Sequence, residues 1–454
     1  MNPTTARPNR TLLNLLVGSG LLLALGLASG CSATCPQVQQ SYAQALAKES
    51  ALEEKSPEGK ERPVQFGLTL RADLLNNIAN TAIQGALKTG LNAVSDIDVG
   101  AGQTVGVKTS GDVVNLNIQP SDACEHCFRI SGKLDGAVGL DIPFVGNKRT
   151  KLGGNLSVVA PVLLAQGKDG GGVLQFDIAS AAKIGKSSLS TTLGDLPGSW
   201  SRVLQSKLST VLLNKLLEGQ KPIDLFSFEG PSLGIPGMEI LPARLVTDAK
   251  TGTIYAGFST NISGLQNEKN IAPVTQLNSD QNLALSFNPN MIVHAISLMM
   301  KSDIIPRQYS SDGKAQRDGS AHATVNAVRF TQGEDGELPM HVDFSVFDFG
   351  AGQSMCYQFA GSAGGKIALK SNRLQVSLTD ADITDSSIPG FATAMNWGKA
   401  SFLQSSKTVI NKSLDPQNIE IPGGKLGFRG LSVNLEGGAV VLRGDSSPIN
   451  AGAN

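Results

Sequence analysis

The feature that most constrains this chain is a strand-to-helix junction that occurs twice. Phe66, Leu68 and Leu70 alternate along the chain and run directly into Leu74, Leu75, Ile78, Ala79, Ala82, Ile83, Ala86 and Leu87, spaced by threes and fours. The alternation places one set on a strand face, and the wider spacing places the other on a broad apolar stripe of an amphipathic helix. Farther on, Leu283, Leu285, Phe287, Asn288, Pro289, Asn290, Met291 and Ile292 align without a gap with Phe66, Leu68, Leu70, Arg71, Ala72, Asp73, Leu74 and Leu75. In this second copy Asn288 is a good helix cap, and Pro289 falls where the first turn tolerates proline. Repetition on this scale predicts two halves of one design.

The intervening sequence fits that expectation. Val105 and Val107, then Val114, Leu116 and Ile118, then Val138, Leu140 and Ile142, and later Leu174, Phe176 and Ile178 read as strands separated by Gly, Asp, Asn and Pro turns. The 51 glycines and few aromatic residues suggest that these strands are short and tightly turned. A second helix follows Leu196, Pro197 and Gly198, with Trp200, Val203, Leu204, Leu208, Val211, Leu212 and Leu216 on its apolar face and Gly219 as a stop. Ile388, Pro389 and Gly390 precede a similar segment with Trp397, Phe402, Leu403, Val409 and Ile410. Each copy then closes on a short strand, Ile223 to Leu225 and Ile419 to Ile421, and the two Trp-to-Ile separations differ by a single residue. The divisions read from this pattern are a first half at 64–230, connecting strands at 231–280, a second half at 281–443 and an unpacked polar tail at 444–454.

Ahead of the repeat, Arg7 and Arg10 open the chain, Leu12 to Leu27 is almost wholly apolar, and Ala28, Ser29 and Gly30 lead into Cys31. That order is the layout of a secretory signal over 1–30. A cysteine directly after small residues resembles the bacterial lipobox, which implies a diacylglycerol on Cys31, and Ser32 in place of aspartate then favours the outer membrane. The alternative is a single transmembrane anchor, since the apolar run can just cross a bilayer. Residues 31–63 are polar, with a weak helical pattern, and read as a tether or loosely docked helix. With Cys31 lipidated, Cys35, Cys124, Cys127 and Cys356 remain, an even number suited to an oxidising compartment. A local Cys124–Cys127 bridge is the first expectation, and Cys35 would then pair with Cys356. Zinc on Cys124, His126 and Cys127 is the sharper alternative, but a second pair of ligands at metal spacing is missing.

A strand entering a long apolar-faced helix, a meander of alternating strands and a second helix, all present twice, resembles the TULIP superfamily. Its members include the bactericidal permeability-increasing and lipopolysaccharide-binding proteins. The resemblance covers nearly all of Phe66 to Arg443 and rests on element order and duplication. It implies an α+β fold of two similar halves, each a curved antiparallel sheet wrapped around a long amphipathic helix, with an apolar tube that holds lipid acyl chains. The Pro231, Pro236 and Pro242 region would serve as the central linker. No cationic patch suits lipid A, so endotoxin neutralisation is not implied. The residues expected to line the tubes are Leu74, Leu75, Ile78, Ile83 and Leu87 on the first helix, and Met291, Ile292, Met299 and Met300 on the second. Methionine suits surfaces that accept varied apolar partners. Ordinary core packing is the plainer reading of the same side chains, which face inward in either case.

Other function classes find little support. The 38 basic residues balance the 38 acidic ones with no basic cluster, so nothing marks a nucleic-acid partner. Gly230, Pro231, Ser232, Leu233 and Gly234 spell a serine-hydrolase elbow, but Gly234, Ile235, Pro236 and Gly237 forbid the helix an elbow requires. Gly361 to Lys366 resembles a phosphate loop with the wrong glycine spacing and Ile367 in place of Ser or Thr. His126, His294, His322 and His341 show no paired metal spacing. The expectation is therefore a non-enzymatic envelope lipoprotein without a cofactor, which binds and transfers acyl chains. The competing expectation is an assembly lipoprotein whose partner is another envelope protein and whose tubes are filled by its own side chains.

Overall fold

The computed structural model describes residues 34–53, 62–92, 94–100, 102–143, 146–167, 171–194, 198–218, 220–228, 235, 237–266, 268–304, 306–309, 316–333, 337–350, 356–370, 373–386, 419–421 and 424–450. The signal region, Cys31, the serine motif at Gly230 to Gly234 and the Trp397 segment lie outside them.

A helix α1 (Cys35–Ala47) precedes β1 (Phe66–Arg71), which passes without a turn into α2 (Ala72–Leu91). Then come β2 (Val94–Gly100), β3 (Gln103–Ser121), β4 (Cys127–Ile142), β5 (Gly146–Gln166) and β6 (Gly172–Phe176). A one-turn helix α3 (Ala181–Ile184), β7 (Ser188–Leu193), α4 (Gly198–Leu217), β8 (Ile223–Phe228), β9 (Ile240–Asp248) and β10 (Thr253–Thr260) follow. β11 (Leu283–Phe287) leads into α5 (Asn290–Lys301). After it come β12 (Gln308–Tyr309), β13 (Ala321–Phe330), β14 (Glu337–Asp348), β15 (Tyr357–Lys370), β16 (Arg373–Ser386), β17 (Ile419–Ile421), β18 (Gly424–Glu436) and β19 (Ala439–Asn450).

The strands form two antiparallel sheets. One runs β2-β3-β4-β5-β6-β8-β17-β18-β19-β11-β1-β10-β9, with β7 added beside β5, and the other runs β12-β13-β14-β15-β16. In the large sheet β9 at one end packs back on β5 and β6, so the sheet curls. Its middle joins the two copies of the repeat, because β1 and β11 are hydrogen-bonded neighbours. β1 is flanked on its other side by the β9–β10 hairpin, and β11 by the β18–β19 hairpin.

β1 is buried on both faces, with only Arg71 partly open. Phe66, Leu68 and Leu70 face the main core, where the Phe66 ring stacks on Phe258 at 4.8 Å. The opposite face is covered by the strap that leads into β11. The Thr69 hydroxyl donates to the Val274 carbonyl, the Val64 N–H donates to Asn270 Oδ1 at 2.6 Å, and the Ile271 N–H donates to the Val64 carbonyl at 3.1 Å. Gly67 is required there, since a Cβ on it would overlap the Tyr255 ring.

Several expectations need correction. The valines of β3 belong to one strand of 19 residues, and β4 and β5 run for 16 and 21. A bulge between Val114 and Asn117 shifts the alternation, so that Val113 is buried before it, Leu116 and Ile118 are buried within and after it, and Val114 faces out. Val203 of α4 is exposed, while Leu204, Leu208, Leu212 and Leu216 are buried. The expected unpacked tail is instead paired as far as Asn450, where β19 runs along β18 past its last partner on β11 at Gly444. There the buried Asn282 carboxamide brackets Ser446, donating to its carbonyl and accepting from its N–H, each at 2.8 Å.

Of the two readings of the leading polar segment, a tether or a loosely docked helix, residues 34–53 follow the docked one. Cys35 is joined to Cys356, and α1 packs its Val38 and Tyr42 on Phe347 and Phe349. Past the helix, the Ala51 N–H donates to Ser263 Oγ at 3.1 Å, and Leu52 bridges to Ile262. These partners are more than two hundred residues away in sequence, so the polar composition of the segment could not reveal them.

Candidate apolar binding interior

α2 is capped by charge. Arg71 and Asp73 form a bidentate pair at its start, and Asp73 Oδ1 accepts from the Leu74 N–H at 2.8 Å. Those contacts hold the Asp73 carboxyl below its usual range even though partial burial opposes the charge. The helix lays Leu74, Leu75, Ile78, Ile83 and Leu87 against the concave side of the large sheet, each at most 2% exposed. Their surroundings include Val105 and Val107 of β3, Ile130 and Val138 of β4, and Leu208 and Leu212 of α4, all in one continuous apolar cluster.

α5 repeats the arrangement on the five-stranded sheet. Asn288 Oδ1 accepts from the Asn290 N–H at 2.9 Å, as the cap reading requires. Met291, Ile292, Met299 and Met300 are buried, in the same cluster as Val325 of β13, Leu338 and Met340 of β14, and Ile367 of β15. All nine residues singled out from sequence therefore line one apolar interior reached by both helices. Their burial fits a lipid-lined wall and a packed core alike.

The C-terminal end of α5 opens on a cleft of about 750 Å³, whose walls include Leu46, Glu49, Met300, Lys301, Arg307 and Arg317. Buried Met300 stands among the lining residues together with charged side chains from both sides of the cleft. Glu49 and Arg307 pair at 2.8 Å with side chains only 11% and 14% exposed. Burial opposes the Arg307 charge, but the hydrogen bond and charge of Glu49 outweigh it and hold the guanidinium above its ordinary range. Beside it Tyr42 donates to or accepts from His322 Nδ1 at 3.0 Å, and burial raises the Tyr42 hydroxyl and lowers the His322 imidazole.

A second polar contact pins α5 itself. Buried Ser50 hydrogen-bonds His294 Nδ1, and burial lowers this imidazole, with Glu268 acting in the opposite direction. Gly264 makes room for the pair, because a Cβ there would stand 2.5 Å from both Ser50 Oγ and His294 Cε1. His294 falls within an apolar stretch of sequence, but nothing there marks Ser50, Tyr42 or the Glu49–Arg307 pair. No local pattern announces partners 244 to 280 residues apart.

The remaining motifs resolve plainly. Cys124 and Cys127 form a disulfide, so neither thiol is available to zinc. Among the described residues no group of three His, Cys, Asp or Glu side chains stands at metal-binding spacing. Gly361 to Lys366 lies inside β15, paired on both sides by β14 and β16, so its backbone N–H groups are committed to ladders and cannot cradle a phosphate. Lys366 is bound to Glu337 at 2.7 Å. Among the described residues no helix is long and apolar enough to cross a membrane.

No family model and no curated protein matches the chain. Among solved structures, lipopolysaccharide binding protein aligns over 86% of this chain and 100% of its own, at 13% identity and a TM-score of 0.37. P47 from Clostridium botulinum A2 aligns over 84% and 97%, at 12% identity and a TM-score of 0.36. P47 of Clostridium botulinum E1 aligns over 85% and 100%, at 10% identity and a TM-score of 0.39. With every TM-score below one half, neither fold nor function is transferred from these proteins.

Proposed function

We propose that this chain is a non-enzymatic envelope lipoprotein, anchored to the outer membrane through Cys31, which binds lipid acyl chains in its apolar interior and passes them between membranes or partners. In this reading the fold is of the TULIP kind, with two similar halves built around α2 and α5. One observation carries it: two amphipathic helices each turn an apolar face toward an antiparallel sheet, and both faces belong to one continuous interior. Such an interior can take an acyl chain without a polar signature, because each methylene removed from water contributes about 0.8 kcal/mol. That accounts for the lack of any site motif. Met300 beside charged side chains in the cleft at the end of α5 supports the same reading, since a lipid presents an apolar tail beside a polar head.

A second reading is favoured by how completely the protein's own side chains cover the α2 stripe, with Leu74 and Ile83 wholly buried. In it the interior is a packed core, and the outer surface docks another envelope protein. Native mass spectrometry with organic extraction, on the exported protein from residue 64 onward and on the full chain, separates the two. Phospholipid or fatty acid retained at fixed stoichiometry supports the carrier. A mass that stays unliganded after incubation with liposomes, for both proteins, removes it and leaves the assembly reading.

A further inference from the structure

We infer that the end of the α5 region bearing Cys356 faces the bilayer in which the protein is anchored, so that the strand ends at Ser320, Phe349 and Cys356 form a membrane-apposed surface. The inference rests on the proposed lipidation of Cys31. Cys31 stands four positions before Cys35, a reach of at most ~14 Å even when fully extended. Cys35 is bonded to Cys356, and the helix that begins there packs Val38, Tyr42 and Ala45 against Phe347 and Phe349. Tyr42 packs on His322, Phe347 and Phe349 with ring centroids 4.9, 5.2 and 5.6 Å away, and Glu49 holds Arg307 at 2.8 Å beyond the helix end. A flexible tether running to residue 63 would have let the body wander over roughly 30 Å. The docked helix removes that freedom and fixes which part of the molecule meets the lipid surface.

The apposed end can be placed more closely. The Phe349 N–H donates to the Ser320 carbonyl at 3.0 Å, so the start of β13 and the end of β14 lie together beside the α1 contact, and exposed Asp318 precedes them. The α2 region points elsewhere. β1 and β11 are antiparallel, so α2 and α5 leave the central sheet from opposite ends. α2 has 20 residues and extends for ~30 Å, and Val94, 75% exposed, follows its end.

The test uses the exported full chain reconstituted in phosphatidylcholine and phosphatidylglycerol vesicles that carry a short-range energy-acceptor lipid. An azide-bearing residue at Asp318 or at Val94 carries the donor dye. Transfer stronger by roughly twofold or more from Asp318 is the expected result, given the ~14 Å reach of the anchor. Equal transfer, or stronger transfer from Val94, overturns the orientation. Mass spectrometry of the N-terminal peptide from the same sample separates that failure from failure of the anchor. A peptide without diacylglycerol on Cys31 overturns both the orientation and the lipoprotein reading beneath it.

Discussion

Leu68 of β1 lies directly across the ladder from Leu285 of β11, and the two are the same position in the two copies of the strand-to-helix repeat. Phe66 faces Phe287 and Leu70 faces Leu283, so a half-turn about the Leu68–Leu285 pair exchanges one set of partners with the other. The junction of the copies is thus self-complementary, in the way an isologous dimer interface is. Leu68 is fully buried and Leu285 only partly so. Leu68→Ala should therefore cost about 2–5 kcal/mol, by lost transfer energy plus the cavity left behind, and Leu285→Ala clearly less. Urea unfolding of both variants checks the order, and equal losses would contradict the burial asymmetry.

The Glu49–Arg307 pair should show strong coupling. Removing one partner strands a desolvated charge, which typically costs about 3–5 kcal/mol, whereas replacing both with apolar residues of similar volume is often near neutral. Arg307→Met should destabilise the protein markedly, and Glu49→Leu combined with Arg307→Met should recover most of the loss. A double-mutant cycle in denaturant measures this, and additive losses would show that the pair is solvated.

Acid should loosen the fold in a window set by two histidines. Burial lowers the His294 imidazole below its ordinary value, against the opposing charge of Glu268. Burial and Arg307 lower His322, against Asp348. The unfolded chain takes up these protons near pH ~6.5, and the folded chain only at lower pH. As pH falls through that value the unfolded state binds more protons and stability drops, while above it the contribution is complete. Denaturation midpoints at pH 7.5 and 5.5 should differ, and His294→Gln with His322→Gln should narrow the difference. An unchanged difference would show that other groups set the acid sensitivity in this window, since the lowered carboxyls of Asp73 and Glu436 respond only at lower pH.

Loss of the long-range disulfide should act mainly on the unfolded state and on α1. The bridge closes a sequence separation of 321 residues, and chain-entropy reasoning gives on the order of 5 kcal/mol for a loop of that length. Cys35→Ser with Cys356→Ser should lower the melting temperature and increase hydrogen exchange in α1, with little change in β1 and β10. The Cys124–Cys127 bridge spans a sequence separation of only 3, so Cys124→Ser with Cys127→Ser should cost much less. Comparable losses from the two double variants would argue against the entropic account.

What could be read from the sequence alone was local or periodic. The Phe66, Leu68, Leu70 alternation, the α2 stripe and the Asn288 cap were legible because each is set by neighbours within one or two turns of chain. The ungapped recurrence at Leu283 pointed to duplication. Inward-facing residues of both helices could be named, since a wide apolar stripe has to be buried somewhere. Only the tertiary structure decided which strands meet, and with what register. It ran β19 to Asn450, turned Val114 outward through a bulge and paired Leu68 with Leu285. It also converted a polar leader into a docked helix, through Cys356, Arg307, Tyr42 on His322, and Ser50 on His294. Such contacts join single residues hundreds of positions apart, and a lone Ser, Tyr or Arg has no periodicity to announce its partner. Their positions follow from how the sheets curl, which depends on the packing of the whole chain.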